Sequence, residues 1–348
     1  MTPTLADVAN HAGVSTMTAS RALNGRSGVS QSTRDRVMAS SKALGYVANI
    51  SARGLVGGRM NILGMVVPDL ATQYTGEVVA GAGEAANELG FDLLLYTTSS
   101  DVGRERERAV LLTNGLADGI LAVLPQDPEN VLGALSKSGI PVVIVDHRGA
   151  ITNLPAIAAD NYAGARLAVE HLVALGHHRI GFLEGAGGID CSRERLRGYR
   201  EGLLNAGIAF DPGLVRPAEF KQPNGFQATT ALLEQAAPPT AIFAANDLSA
   251  FGAIEAIKER GLRVPDDISV VGFDDIPMAS QIFPALTTVR QPLHQMGASA
   301  VNLLVSMVAG LNPVTQRINL PTELIVRAST GPVRTESVRT GPVRKESR

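Results

Sequence analysis

The sequence predicts an α/β protein with an all-α helix-turn-helix head and a two-lobed body built on parallel sheets. Three observations carry this. Residues 1–48 hold three apolar patterns at helical spacing, with a glycine turn between the first two. From residue 61 onward, apolar runs alternate with helical stretches, the pattern of βα units whose strands are covered by helices on both faces. The strand–helix order then restarts after Asp160, which divides the body into two similar lobes. At 348 residues the chain is also too long for one ordinary core.

Thr4 precedes Leu5, Val8, Ala9 and Ala12, an amphipathic set that a threonine cap can start. Gly13 follows, a residue suited to the left-handed conformation that ends a helix. Ser15 is positioned to cap a second helix with Ala19, Ala22 and Leu23 inside and Thr16, Met17, Ser20 and Arg21 outside. Asn24-Gly25 closes it, and a third helix starts near Ser32-Thr33, carries Val37 and Leu44 inward and ends at Gly45-Tyr46. Such a pair of short helices is a duplex-reading unit. Arg21 has the forked reach for guanine O6 and N7 in the major groove, while Thr16 and Met17 suit base edges and thymine methyls. Ser15 and Thr18 suit phosphate oxygens, and Thr4 and Asn24 complete the DNA-facing set. Charge agrees: residues 1–60 hold seven Arg/Lys against Asp7 and Asp35, a net of +5, whereas residues 61–331 are net acidic.

In the body, strands are expected at 62–67, 92–97, 119–124, 141–145, 179–183, 240–244 and 268–273. Helices are expected near 74–89, 103–115, 127–138, 161–175, 192–206, 224–236, 246–260 and 292–309. Ligands of open α/β sheets bind beyond the carboxyl ends of strands. Asp69 with Tyr74 and Thr75, Asp146-His147-Arg148, Asn246-Asp247 and Asp274-Asp275 all follow strands, Arg195 lies on the helix after 179–183, and Phe220 sits in the segment before the helix at 224.

Several function classes are set aside. No apolar run is long enough to span a membrane, and the N-terminus has no export signal, so a cytoplasmic location is expected. The one cysteine, Cys191, has no adjacent base and is expected to line or flank the cleft. His177-His178 sit at a helix end, one of them expected to meet its terminal carbonyls, and have no partner at metal-ligand spacing. Gly185–Gly188 lacks dinucleotide-loop spacing. The chain is therefore read as non-enzymatic, without metal or cofactor. At the C-terminus, Thr330–Ser337 recurs as Thr340–Ser347, and residues 332–348 are expected to be a disordered tail.

The run Thr4-Leu5-Ala6-Asp7-Val8-Ala9-Asn10-His11-Ala12-Gly13-Val14-Ser15, continued by Thr18-Ala19-Ser20-Arg21-Ala22-Leu23-Asn24, resembles the head of the lactose-repressor (LacI/GalR) family. Ala19 replaces the usual valine, and Ser41 stands where the family carries a larger apolar group, so a less stable head is expected. The resemblance implies a hinge over residues 49–60, with Asn49 capping a brief helix. There Ala52, Arg53 and the wedge residue Leu55 enter the minor groove beside a dimer partner. Residues 61–331 are then similar to a periplasmic sugar-binding fold whose chain crosses between lobes near 160, 290 and 322. Arg195 with Gly198-Tyr199 matches the family's effector-holding arginine, and Asn246-Asp247 and Gly272-Phe273-Asp274 match its cleft motifs. Pro284–Pro292 matches a crossover signature. Asp, Asn and Arg supply planar partners for vicinal hydroxyls, and Tyr74 and Phe220 supply an aromatic face. Ile189 and His147 replace the arginine and tryptophan of the purine-binding branch, which favours a sugar or glycoside. The resemblance thus implies a homodimeric repressor of a pseudo-palindromic operator in double-stranded DNA, released by a carbohydrate effector. A ligand that instead strengthens DNA binding, or a sugar-binding protein without regulatory output, are the alternatives.

Overall fold

The computed structural model describes residues 3–23, 27–46, 60–99, 101–125, 138–146, 154–313 and 317–334. The chain divides into two compact units, Met1–Met60 and Asn61–Arg348.

In the first unit, helices α1 (Leu5–Ala12), α2 (Thr16–Leu23) and α3 (Gln31–Leu44) enclose Val8, Ala9, Ala12, Ala19, Ala22 and Val37. The Thr4 hydroxyl accepts the Asp7 N–H at 3.3 Å, and the Asp7 carboxylate accepts the Thr4 N–H at 2.8 Å, a reciprocal cap. The Thr4 N–H first, and second the Thr4 hydroxyl donating to Asp7 Oδ2 at 2.7 Å, hold the Asp7 carboxyl below its ordinary range. Gly13 ends α1 at φ +63°, where a side chain would be strained, and this turn sends the chain into α2. Ser15 caps α2 by accepting the Thr18 N–H at 3.1 Å. Helix α3 begins earlier than the sequence suggests because Ser30, not Ser32, is its cap, accepting the Thr33 N–H at 3.3 Å. Half-buried Ser41 donates to the Tyr46 carbonyl at 3.3 Å. Asn24 and the hinge residues Ala52, Arg53 and Leu55 lie outside the described residues.

The second unit has two lobes. The first contains β1 (Ile62–Val67), α4 (Gln73–Glu88), β2 (Asp92–Thr97), α5 (Val102–Leu111), β3 (Gly119–Val123), β4 (Val142–Val145) and β5 (Ala156–Ala159). The second contains α6 (Asn161–Ala174), β6 (Ile180–Glu184), α7 (Asp190–Asn205), β7 (Val215–Pro217), α8 (Gln222–Leu233), β8 (Ala241–Ala244), α9 (Asp247–Glu259), β9 (Ser269–Asp274) and β10 (Thr287–Arg290). The chain then returns through α10 (Leu293–Val308), packed on α4, to β11 (Arg317–Leu320) in the first sheet, and ends through β12 (Glu323–Ile325) in the second. The sheet orders are β11-β5-β4-β3-β1-β2 and β12-β10-β9-β8-β6-β7. Every residue of β1, β3, β4 and β5 is buried, and the first three read in sequence as apolar runs for that reason. The three lobe crossings fall where expected: after β5, between β10 and α10, and between β11 and β12.

The sheets are parallel as expected, apart from β12, which runs antiparallel to β10, pairing Thr288 with Ile325 and Arg290 with Glu323. Two expectations need correction. The ordered chain extends past 331: Val333 N–H donates to Leu175 O at 3.0 Å, and Arg334 pairs with Asp266 at 2.7 Å. The His177 imidazole does not serve helix carbonyls. Its nitrogens meet Thr240 Oγ1 at 2.9 Å, Ser269 Oγ at 3.1 Å and Gly331 O at 3.0 Å, tying the segments around β8, β9 and β12 together. The helix expected at 127–138 lies almost wholly outside the described residues, as does the repeat beyond Arg334. The second lobe centres on Phe182, stacked on Tyr199 at 4.8 Å and tilted against Phe243 at 5.2 Å.

Candidate effector cleft and DNA-reading face

A cavity of about 370 Å³ opens between the two lobes of the second unit. Its first-lobe wall follows the carboxyl ends of β1, β3 and β4: Asp69, the Thr72–Thr75 start of α4, Leu124 and Asp146. The second-lobe wall follows β6 through β9, with Ile189, Cys191 and Arg195 from α7, Glu219–Lys221, Asn246, Leu248, Asp274 and Ile276. Five wall residues other than glycine have positive φ: Leu124 (45°), Asp146 (48°), Glu219 (52°), Phe220 (62°) and Asp274 (127°). Such backbone costs about 1–3 kcal/mol per residue and persists only where the surrounding fold imposes it.

On the first lobe, the Tyr74 hydroxyl donates to Asp146 Oδ2 at 2.5 Å. Burial, and then the Asp146 charge, push the Tyr74 phenol well up, so it stays a proton donor. Thr75 is buried on the same turn, its N–H reaching Thr72 Oγ1 at 3.4 Å. On the second lobe, Arg195 is 2% exposed and lies 3.8 Å from the Phe273 ring centre. Its Nε donates to Asn161 Oδ1 at 2.9 Å and its Nη1 to the Ala245 carbonyl, with Asp274 Oδ1 at 3.4 Å. Gln291, at the second lobe crossing, donates to the same Asp274 oxygen at 2.6 Å. Burial raises the Asp274 carboxyl to about 7, against the lowering effects of Arg195 and Gln291. Asn246 caps α9 through the Ser249 N–H at 3.0 Å and holds the Phe220 carbonyl at 3.1 Å. Phe220 presses on Gly185, where a Cβ would stand 2.1 Å from the ring, so only glycine lets the ring reach this wall. Burial pushes the Cys191 thiol up to about 12, which leaves it an inert part of the lining.

Of the effector residues expected from sequence, Tyr74, Thr75, Arg195, Phe220, Asn246 and Asp274 meet in this cavity. His147 is outside the described residues. Asp247 is not part of the wall. It is fully buried behind β9, with Oδ1 accepting the Thr288 hydroxyl at 2.5 Å and Oδ2 the Ile276 N–H at 2.9 Å. Burial and then Asp274 push its carboxyl up, while those two donors pull the other way. A position just after a strand marks both Asp247 and Asp274, but not which way each carboxylate turns. Sequence reasoning passed over Gln291 and Asn161, whose roles depend on partners 17 and 34 residues away on other elements. Two contacts cross between lobes beside the cavity: Gln73 accepts the Met278 N–H at 3.1 Å, and Arg317 pairs with Asp190 at 3.0 Å.

On the head, Ser15, Thr16, Met17 and Arg21 are exposed along the start and outer face of α2, and Met17 is 68% exposed. Thr18 is half-buried, its hydroxyl 2.8 Å from that of Ser15, and Thr4 lies at the start of α1. Arg34 of α3 donates to the Ala22 carbonyl at 3.3 Å, fastening the end of α2. Among the described residues no group of side chains could hold a metal ion, and no helix is long and apolar enough to cross a membrane.

Residues 4–49 match the family of bacterial regulatory proteins called lacI, and residues 169–330 match the periplasmic binding protein-like domain. The chain is 35% identical to the transcriptional regulator DegA of Bacillus subtilis, over 96% of this chain and all of DegA. Its fold is similar to a lac repressor dimer bound to operator and the anti-inducer ONPF, with TM-score 0.86, 34% identity and coverage of 95% and 100%. It is also similar to a CelR–cellobiose complex, with TM-score 0.73, 34% identity and coverage of 94% and 99%. A likeness that runs through head and body alike makes this chain a member of the LacI family, a bacterial transcriptional regulator.

Proposed function

We propose that the protein is a homodimeric repressor whose paired heads bind two half-sites of an operator, and which a sugar or glycoside in the interlobe cleft releases. The carrying observation is the cleft itself: a strained wall from each lobe, with an aromatic face at Phe220 and paired polar groups at Tyr74–Asp146 and Arg195–Asp274. Such groups recognise vicinal hydroxyls from both sides. In Arg195, Nε and Nη1 are engaged by protein acceptors, and the side chain lines the cleft. The solved relative in complex with cellobiose supports a carbohydrate effector. Regulatory relatives also favour a non-enzymatic role and an intracellular location with DNA.

Control follows from position. Asp274 faces the cleft and is bonded to Gln291 at the β10–α10 crossing, so a ligand that engages Asp274 acts on a segment that joins the lobes. A ligand shifts the equilibrium only by binding one lobe arrangement better than another. Derepression of about 100-fold requires roughly 2.7 kcal/mol of such preference. On the head, Arg21 reads guanine, Thr16 and Met17 meet base edges, and Ser15 and Thr18 meet phosphates; on the hinge, Ala52, Arg53 and Leu55 enter the minor groove.

Selection of binding fragments from genomic DNA, followed by footprinting, tests the reading. A pseudo-palindromic site is expected, and Arg21→Ala should lose about 1–3 kcal/mol of preference for it. Unchanged specific affinity in Arg21→Ala would remove the base-reading assignment.

A further inference from the structure

We infer that the cleft is selective by charge, admitting ligands without negative charge, such as unphosphorylated sugars, and rejecting phosphorylated or carboxylated ones. This rests on the effector-cleft reading above and adds the electrical character of the ligand. Among the described residues the wall carries four carboxyl groups, Asp69, Asp146, Asp274 and Glu219, and two basic groups, Arg195 and Lys221.

Both cations already have partners. Arg195 is buried against Asp274 Oδ1 at 3.4 Å, and its Nε and Nη1 also serve neutral acceptors, Asn161 Oδ1 and the Ala245 carbonyl. Its charge is therefore balanced, while a remaining N–H is still able to meet a hydroxyl. Lys221 lies 3.4 Å from Glu219 at the rim. On the opposite wall, Asp146 accepts the Tyr74 hydroxyl, and Asp69 accepts the Ala71 N–H at 2.8 Å. A phosphate or carboxylate entering this space would shed water and meet more carboxylate than free positive charge. A sugar hydroxyl, by contrast, donates to a carboxylate and accepts from Arg195 or Tyr74.

Calorimetric titration of the full-length protein with matched pairs tests this: glucose against glucose 6-phosphate and glucuronate, ribose against ribose 5-phosphate, cellobiose, and hypoxanthine against inosine 5′-phosphate. The expected result is at least one neutral sugar binding, with its charged counterpart weaker by about tenfold or more. Glu219→Gln, which frees Lys221 of its partner, should narrow that gap. A charged form that binds as well as its neutral counterpart overturns the inference, and a gap unchanged in Glu219→Gln overturns the pairing argument. Hypoxanthine bound alone, with inosine 5′-phosphate rejected, would sink the carbohydrate reading but support the charge rule. Silence from every probe overturns both.

Discussion

Buried polar side chains in this protein fall into two kinds, and substitution should tell them apart. Tyr199 is fully buried in the second lobe and its hydroxyl donates to the Ile180 carbonyl at 2.7 Å. Tyr199→Phe keeps the stack on Phe182 and removes only that bond, so stability should fall by about 1 kcal/mol in denaturant unfolding, with ligand binding unchanged. Tyr74 points its hydroxyl at Asp146 in the cleft. Tyr74→Phe should weaken effector binding by about tenfold in calorimetry while operator affinity without effector is retained. Sequence alone marks both tyrosines as useful aromatics. It does not separate the tyrosine whose hydroxyl ends on a strand carbonyl from the one facing a cavity, because that depends on partners 19 and 72 residues away.

Among elements, those with a strong local signal were legible and those defined by their neighbours were not. The capped helices α1 and α2 follow from Thr4, Gly13 and Ser15, and the buried strands β1 and β3 from their apolar runs. Strand β5 is Ala-Ile-Ala-Ala, too short and too plain to stand out, and β11 and β12 are only four and three residues long, too short for the alternation in Arg317–Leu320 to carry an assignment. Strands β11 and β12 form because lobe crossings deliver them to the edges of the two sheets, and β5 is held between β4 and β11. His177 ties the middle of the second sheet to the segment after β12 through Thr240, Ser269 and Gly331, and burial keeps its imidazole below the ordinary value. The folded state therefore resists a proton that the unfolded chain accepts. This contribution is complete above about pH 6.5 and is lost as pH falls below it toward the folded value. The melting temperature should drop on acidification through that window, and a His177→Gln variant, lower in stability throughout, should show a shallower drop. Equal slopes for the two proteins would remove His177 from the account.

At the scale of the whole molecule, the account joins a basic DNA-reading head to an acidic body whose two lobes close around a cavity. The cavity has walls from both lobes and so exists only at a particular lobe spacing, which Gln73–Met278 and Arg317–Asp190 help to set. Arg317→Gln should raise the effector dissociation constant several-fold by lowering the population of that arrangement, while cleft side chains stay in place. Lobe count and crossings were readable from the restart after Asp160 and the motif around Pro284–Pro292. The cross-lobe pair was not, since nothing in sequence connects Arg317 with Asp190. The most direct test of the central claim is operator binding by fluorescence anisotropy, titrated with a panel of neutral mono- and disaccharides. At least one sugar should lower operator affinity by about 100-fold, and Asp274→Asn should bind operator yet lose that response. Specific operator binding that no neutral sugar alters, in a protein whose cleft is intact, would contradict the account.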